Sequence, residues 1–364
     1  MKIFFDYQTF CQQLYGGISR YFCELITGIN KTDNQAHLSL LHSNNAHLRE
    51  YGLNVMPNYF PKRHRFSHLT NRTYNIVDFR SNSYDIYHAT YFDPFFSKYI
   101  GRKPYVVTFY DMIYEKFGDR FDAIGENQTI IKWKQEISKN AAGLIAISEN
   151  TKQDMVNYLG INPERIRVIY LSGSMKFDTH FSVETKRSQQ PYILYVGNRG
   201  LYKNFIPFLK AVSPILKTYG LQLVCAGGQP FNNDERTVIK SCDVETNVEY
   251  RSVTDQVLAD LYSNAVAFVY PSLYEGFGIP ILEAMSCRCP CLLSNSSSLP
   301  EVAGEAALYF NPDDLDDMRS TLRKLMDDQS LRTQLIEAGI ERAATFSWDR
   351  TVRETLSLYG EIIS

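Results

Sequence analysis

The stretch Ala265–Glu283 constrains the fold more than any other part of this chain. An apolar run, Ala265 to Val269, has the character of a buried strand, and a helical pattern begins near Pro280. Between them lies Tyr270-Pro-Ser-Leu-Tyr-Glu-Gly-Phe-Gly278, a loop with two glycines. A glycine loop at a strand-to-helix junction lets backbone N–H groups approach a phosphate or sugar oxygen closely. Pro280 suits the start of a helix, where its missing N–H has no partner to lose. Glu275 then stands at the mouth of the loop and Glu283 in the first helical turn. Two carboxylates beside an anion-friendly loop suit a ligand bearing both hydroxyls and phosphates, such as a nucleotide sugar.

The same alternation recurs along the chain and predicts parallel α/β layers. In the first half, strands are expected at Ile3–Asp6, Leu38–His42, Ile86–His88, Val106–Phe109, Gly143–Ile147 and Ile166–Ile169. Helices are expected at Ile18–Ile29, 127–140 and Asn150–Leu159. A linker-like change in composition covers Ser172–Gln190. A second series follows, with strands at Tyr192–Val196, Leu221–Ala226, Val266–Tyr270, Cys289–Leu293 and Ala307–Phe310. Its helices include Phe205–Tyr219, Thr254–Ser263, Ile279–Ser286 and Asp313–Asp328. At 364 residues the chain is comfortable for two cores. The expectation is an α/β protein of two facing Rossmann-like domains, 1–175 and 185–345, with a ligand cleft between them. A terminal helix, 346–364, completes it.

Composition narrows the function. A formal net charge of −2 gives no basic field for nucleic acid. The seven cysteines show no secreted-framework spacing, no signal peptide opens the chain, and no apolar run is long enough to span a bilayer. A reducing, cytoplasmic location is expected. Aromatic residues make up 13%, which suits stacking on bases and sugars, although cores take most aromatic side chains.

Pro-Ser-x-x-Glu-Gly-Phe-Gly-x-Pro-x-x-Glu-Ala resembles the Glu-x7-Glu signature of retaining glycosyltransferases of the GT-B architecture, specifically family 4, also called glycosyl transferases group 1. The resemblance covers nearly the whole chain. It implies that Glu275 hydrogen-bonds sugar hydroxyls, that backbone groups of Gly276, Phe277, Gly278 and Ile279 contact sugar and phosphate, and that Glu283 binds the ribose diol. Phe346-Ser-Trp-Asp349 and the amphipathic pattern after it are similar to the family's terminal helix, which packs back on the N-terminal domain.

Further motifs fit this frame. In Tyr195-Val-Gly-Asn-Arg-Gly-Leu-Tyr-Lys-Asn204 a strand ends, a glycine turns the chain, and Arg199 and Lys203 precede a helix. Fixed cations in a partly dry site stabilise the charge that develops on a departing diphosphate. The segment resembles the family's Gly-x-Arg…Lys-Asn motif, whose cation pair serves in place of a metal, so no metal and no cofactor are expected. Gly16 and Gly17 follow the first strand and open a helix, and the resemblance assigns them to the donor phosphate or to the acceptor side. Tyr110 stands where relatives commonly carry a histidine. It can donate a hydrogen bond but cannot carry a proton near pH 7. This fits a reaction in which the leaving phosphate takes the acceptor's proton. Asp111 is expected as an acceptor-side hydrogen-bond partner.

Other features admit plainer readings. His88 ends a strand and either lines the cleft or is structural. Ser294-Asn-Ser-Ser-Ser-Leu-Pro-Glu301 reads as a helix cap, which in the family shapes the floor of the sugar pocket. Cys287-Arg-Cys-Pro-Cys291 lacks the pairing of a zinc site and reads as buried strand residues. Asp314-Leu-Asp316 reads as an acidic helix start. The basic stretch Lys62–Arg72 either meets anionic phospholipid or a lipid-diphosphate acceptor, or is a solvated loop.

The variants Val-Thr-x-Tyr-Asp-Met-Ile and Gly-Asn-Arg…Tyr-Lys-Asn look most like mannosyltransferases of surface polysaccharide assembly. GDP-mannose is therefore the first expected donor and a UDP-sugar the second, with a glycan or lipid-linked glycan as acceptor. The alternatives are a GT-B nucleotide-sugar epimerase or phosphorylase, or a non-catalytic scaffold.

Overall fold

A computed structural model describes residues 1–53, 55–57, 64–118, 120, 128–175 and 190–364. Lys62, Arg63 and most of the linker expected at Ser172–Gln190 lie outside the described residues. The chain divides into two compact units, one of Met1–Leu171 with Ser347–Ser364, the other of Ser172–Phe346.

The first unit is built on a parallel six-stranded sheet in the order β2-β1-β3-β4-β5-β6. Its strands are β1 Lys2–Phe5, β2 Gln35–Leu38, β3 Ile86–Ala89, β4 Tyr105–Phe109, β5 Gly143–Ala146 and β6 Ile166–Val168. The interior strands β3, β4 and β5 are buried along their whole length, because helices cover both faces of a parallel sheet. The aromatic surplus fills this core: Phe4 packs against Phe79, Tyr84 and Tyr87, and Tyr87 against Phe96.

The C-terminal helix Trp348–Ile363 belongs to this unit. It lies against the helix Gly17–Ile29 and β5, and two glycines make room for it. A Cβ at Gly28 would come within 2.5 Å of Val352 Cγ2, and one at Gly143 within 2.7 Å of Ile362 Cδ1. Thr351 Oγ1 donates to Tyr170 O at 2.7 Å, and Tyr359 OH meets the ring of His88.

The second unit holds a parallel sheet ordered β9-β8-β7-β10-β11-β12. Its strands are β7 Tyr192–Val196, β8 Gln222–Ala226, β9 Val248–Arg251, β10 Ala267–Tyr270, β11 Cys291–Ser294 and β12 Ala307–Phe310. Numbered within the unit, this is the doubly wound order 3-2-1-4-5-6. The helix Phe205–Thr218 shows how the core forms: Phe205, Phe208, Leu209, Val212 and Leu216 recur at helical spacing and are buried together over the sheet.

Three differences from the sequence reading have physical causes. β2 pairs Gln35–Leu38 with Lys2–Phe5 rather than using Leu38–His42. It is an edge strand with an exposed–intermediate alternation, so its apolar signal is weak. β9, Val248–Arg251, is likewise a polar edge strand and was not expected. The basic stretch is not a loop from His64 onward, because His64–Ser81 forms a helix of 18 residues.

Candidate active site

In a doubly wound sheet, ligands bind beyond the carboxyl ends of the strands where the order reverses. In the second unit that point falls between β7 and β10, which pair directly. The loops leaving these two strands are Gly197–Asn204 and Pro271–Gly278, the two stretches singled out in the sequence.

Each loop is shaped by local chemistry. After β7 the chain turns at Gly197, whose φ of +107° favours glycine. A short 3-10 turn, Leu201–Lys203, follows, and Asn204 donates through its side-chain amide to Pro312 O at 2.7 Å. After β10 the loop runs to Gly278, at φ +103°, where a Cβ would come within 2.9 Å of Ile281 Cδ1. The helix Ile279–Ser286 starts there with Pro280 in its first turn. Leu273 N donates to Tyr202 O at 2.7 Å and ties the two loops together.

The pairing across these loops is Lys203 with Glu275. Lys203 Nζ lies 2.6 Å from Glu275 Oε1 and 3.4 Å from Tyr270 OH. The two side chains are 16% and 11% exposed. Burial disfavours the Lys203 ammonium, but the Glu275 carboxylate beside it outweighs that penalty and holds its pKa well above the ordinary lysine value. The lysine is therefore a permanent cation at the switch point. Burial also raises the Tyr270 phenol, followed by the influence of Glu275, so Tyr270 stays a neutral hydroxyl.

Gly276, Phe277 and Ile279 continue from Glu275 into the helix start, and Glu283 is buried one turn further on. A Cβ at Gly173 would come within 3.3 Å of Glu283 N, so that glycine lets the chain pass close to the helix.

Arg199 is engaged with the turn after β8. Its Nε donates to Glu235 Oε1 at 2.9 Å, Nη1 reaches Gly227 O at 3.5 Å, and Nη2 donates to Gln229 O. The side chain is 3% exposed, and its guanidinium lies over the Phe231 ring at 4.8 Å. Glu235 also closes a capping box with Asn232 at the start of the helix Asn233–Ser241. Arg199 thus braces the turn after β8, while Lys203 alone of the two cations pairs with Glu275.

In the first unit, Gly16 is the N-cap of the helix Gly17–Ile29, and Ser19 N donates to Gln13 Oε1 at 3.2 Å. A Cβ on Gly16 would come within 2.5 Å of that same Gln13 oxygen. The close approach the glycine permits is therefore filled by Gln13. Tyr110 follows β4 and is buried beside Tyr21 and Phe22, and its hydroxyl has no hydrogen-bond partner among the described residues. Burial holds its pKa well above the ordinary tyrosine value. Asp111 Oδ1 accepts from Ile113 N at 3.2 Å, and its carbonyl accepts from the buried Lys134 Nζ at 2.8 Å.

His88 is fully buried, with Nε2 2.9 Å from Thr108 Oγ1 and Nδ1 against Tyr359 OH. Burial lowers its pKa to about 3, so it is a neutral structural residue. Cys287, Cys289 and Cys291 are buried thiols. Asp314 caps the helix Leu315–Asp327 through the N–H groups of Asp316 and Asp317.

Sequence reasoning did not single out Tyr270 or Glu235, nor the serines of 294–298 as partners of the Glu275 loop. Ser298 precedes the helix Leu299–Ala303 yet makes no side-chain cap bond to it. Its hydroxyl goes to Glu275 O and Phe277 O instead.

The architecture is that of the GT-B glycosyltransferases. HepE of Anabaena, solved with UDP and glucose, superposes with a TM-score of 0.79 at 15% identity, covering 99% of this chain and 100% of that one. Sucrose-phosphate synthase of Thermosynechococcus elongatus gives 0.77 at 18%, covering 99% and 98%. Residues 15–171 match the family described as Glycosyltransferase Family 4, and residues 176–342 match Glycosyl transferases group 1. Together these matches take in both units, and the chain belongs to this glycosyltransferase family. The O-antigen chain mannosyltransferase B of Escherichia coli is 30% identical over 227 residues, 59% of this chain and 60% of that protein. The O-antigen chain mannosyltransferase RfbU of Salmonella typhimurium is 30% identical over 188 residues, 51% and 52% of the two chains. The matched part thus spans little more than half the length of each relative.

Proposed function

We propose that this protein is a retaining, metal-independent glycosyltransferase that moves a hexose from a nucleotide diphosphate sugar to a growing glycan or lipid-linked glycan. The observation that carries the proposal is the Lys203–Glu275 pair at the switch point of a doubly wound sheet. Diphosphate departure develops negative charge, and a permanently charged lysine at that place supplies the compensation a metal supplies elsewhere. A phosphate that engages Lys203 relieves Glu275 of its partner, leaving the carboxylate to accept from sugar hydroxyls. Backbone groups of Gly276–Ile279 border sugar and phosphate, and Glu283 takes the ribose diol. Arg199 supports the neighbouring turn. With His88 buried and neutral and a tyrosine at position 110, the acceptor's proton passes to the leaving phosphate.

Mannose is the favoured sugar, in line with the similarity to O-antigen chain mannosyltransferases, with GDP-mannose the first donor in this reading and a UDP-sugar the second. The place of action is the cytoplasm. No helix among the described residues is long and apolar enough to cross a membrane. Peripheral contact with an anionic membrane through Lys62–Arg72 is supported by Phe66 and Leu69, exposed on the helix His64–Ser81.

A thermal-shift panel of GDP-, UDP- and ADP-sugars in the presence of a chelator tests the donor, since a ligand bound to the folded state alone raises its stability. GDP-mannose should give the largest shift. Rapid epimerisation of the sugar without an acceptor would replace the transferase reading with an isomerase.

A further inference from the structure

Four serines at the end of β11 and in the turn that follows it spend their hydroxyls on the backbone of one loop. Ser294 Oγ and Ser296 Oγ both donate to Ser272 O, the latter at 3.1 Å. Ser297 Oγ accepts from Glu275 N at 2.8 Å. Ser298 Oγ lies 2.9 Å from Glu275 O and 3.0 Å from Phe277 O, so one hydroxyl serves two carbonyls. Glu275 is thereby held at both its N–H and its C=O, by adjacent residues more than twenty positions further along the chain.

Two details separate this arrangement from ordinary turn chemistry. Ser298 occupies a helix N-cap position, where a serine usually bonds the helix's own N–H groups. Here that bond is forgone and the fully buried hydroxyl faces the loop. Ser297 sits at φ +51°, a left-handed conformation that glycine adopts without strain. Glycine has no oxygen to offer Glu275 N. The strained residue is the one that supplies the hydrogen bond.

We propose that Ser297 and Ser298 are positioning residues that fix the Glu275 backbone so that its carboxylate meets Lys203 and the donor sugar. They act through the backbone of the loop Ser272–Gly278. The proposal rests on the reading of that loop as the donor site, and its first test does not.

The test uses Ser298→Ala and Ser297→Gly. Ser297→Gly removes the oxygen while relieving the strain, so its melting temperature should stay close to that of the unmodified protein. Amide hydrogen exchange should accelerate at least about tenfold within 272–278, roughly the effect of losing one good hydrogen bond, with the rest of the chain unchanged. Turnover of GDP-mannose should fall at least about tenfold, mainly in kcat. In a Glu275→Ala background, Ser298→Ala should cost less than about twofold more, because residues acting through one group are not additive. Unchanged exchange in 272–278 in both variants overturns the proposal. So does an equal loss of turnover from Ser298→Ala with and without Glu275. Failure of the donor-site reading shows itself separately, as unmodified protein that binds no nucleotide sugar while the exchange result still reports on the serines.

Discussion

Lys203 and Glu275, 72 residues apart in sequence, meet at 2.6 Å where the second sheet reverses its strand order. The two side chains are 16% and 11% exposed, and breaking the pair has a consequence for stability as well as for activity. Lys203→Met or Glu275→Gln alone leaves one polar group without its partner. Each should lower stability by about 1–3 kcal/mol, less than a fully buried pair because of residual exposure. The double variant should recover part of that loss. Chemical denaturation of the three variants checks this, and simple additivity would mean that the pair carries no coupling energy.

Arg199 should behave as a brace. Arg199→Lys keeps a charge but cannot reproduce the contacts to Glu235 and to two carbonyls, and should cost about 2–4 kcal/mol. Glu235→Gln should cost a similar amount, and the two should not add. If Arg199→Lys melts normally yet loses nucleotide diphosphate binding, the arginine is a ligand contact and the brace is the wrong description.

His88 gives the fold an acid limit. Its folded pKa, lowered to about 3 by burial, lies below the ordinary value of 6.5, so the unfolded chain binds the proton more readily. The stability associated with neutral His88 is complete above about pH 6.5 and is lost as pH falls from there toward 3. By pH 4.5 the loss should reach roughly 2–3 kcal/mol. The ring meets Tyr359, so exchange in the terminal helix should rise with acid. A denaturation midpoint that stays flat between pH 7 and 4.5 would contradict this assignment.

The terminal helix is also sensitive to sterics. Gly143→Val should destabilise the first unit by about 1–3 kcal/mol, because Ile362 and Val106 occupy the space its side chain needs. Limited proteolysis should then release the segment after Ser347 sooner than in the unmodified protein.

The strands that sit in mid-sheet were legible in the sequence because burial on both faces leaves continuous apolar runs, as in Tyr192–Val196. β2 and β9 were not, since edge strands alternate weakly. The helix His64–Ser81 escaped notice because buried asparagines, Asn71 and Asn75, occupy core-facing positions and blur its periodicity. At the site, Lys203 and Glu275 could be named from loop position together with the family resemblance. The partner of Arg199 could not, because nothing local to Arg199 points to a carboxylate 36 residues away. Likewise a run of serines before Leu-Pro-Glu reads as a cap until the loop opposite is seen.

The most direct measurement is calorimetric titration of the unmodified protein and Lys203→Ala with GDP, UDP and GDP-mannose in the presence of a chelator. The account predicts binding without metal, tightest for the GDP compounds, weakened at least about tenfold by Lys203→Ala, which corresponds to one good polar contact. Equal affinity in the two proteins, or binding only after a divalent metal is restored, would contradict it.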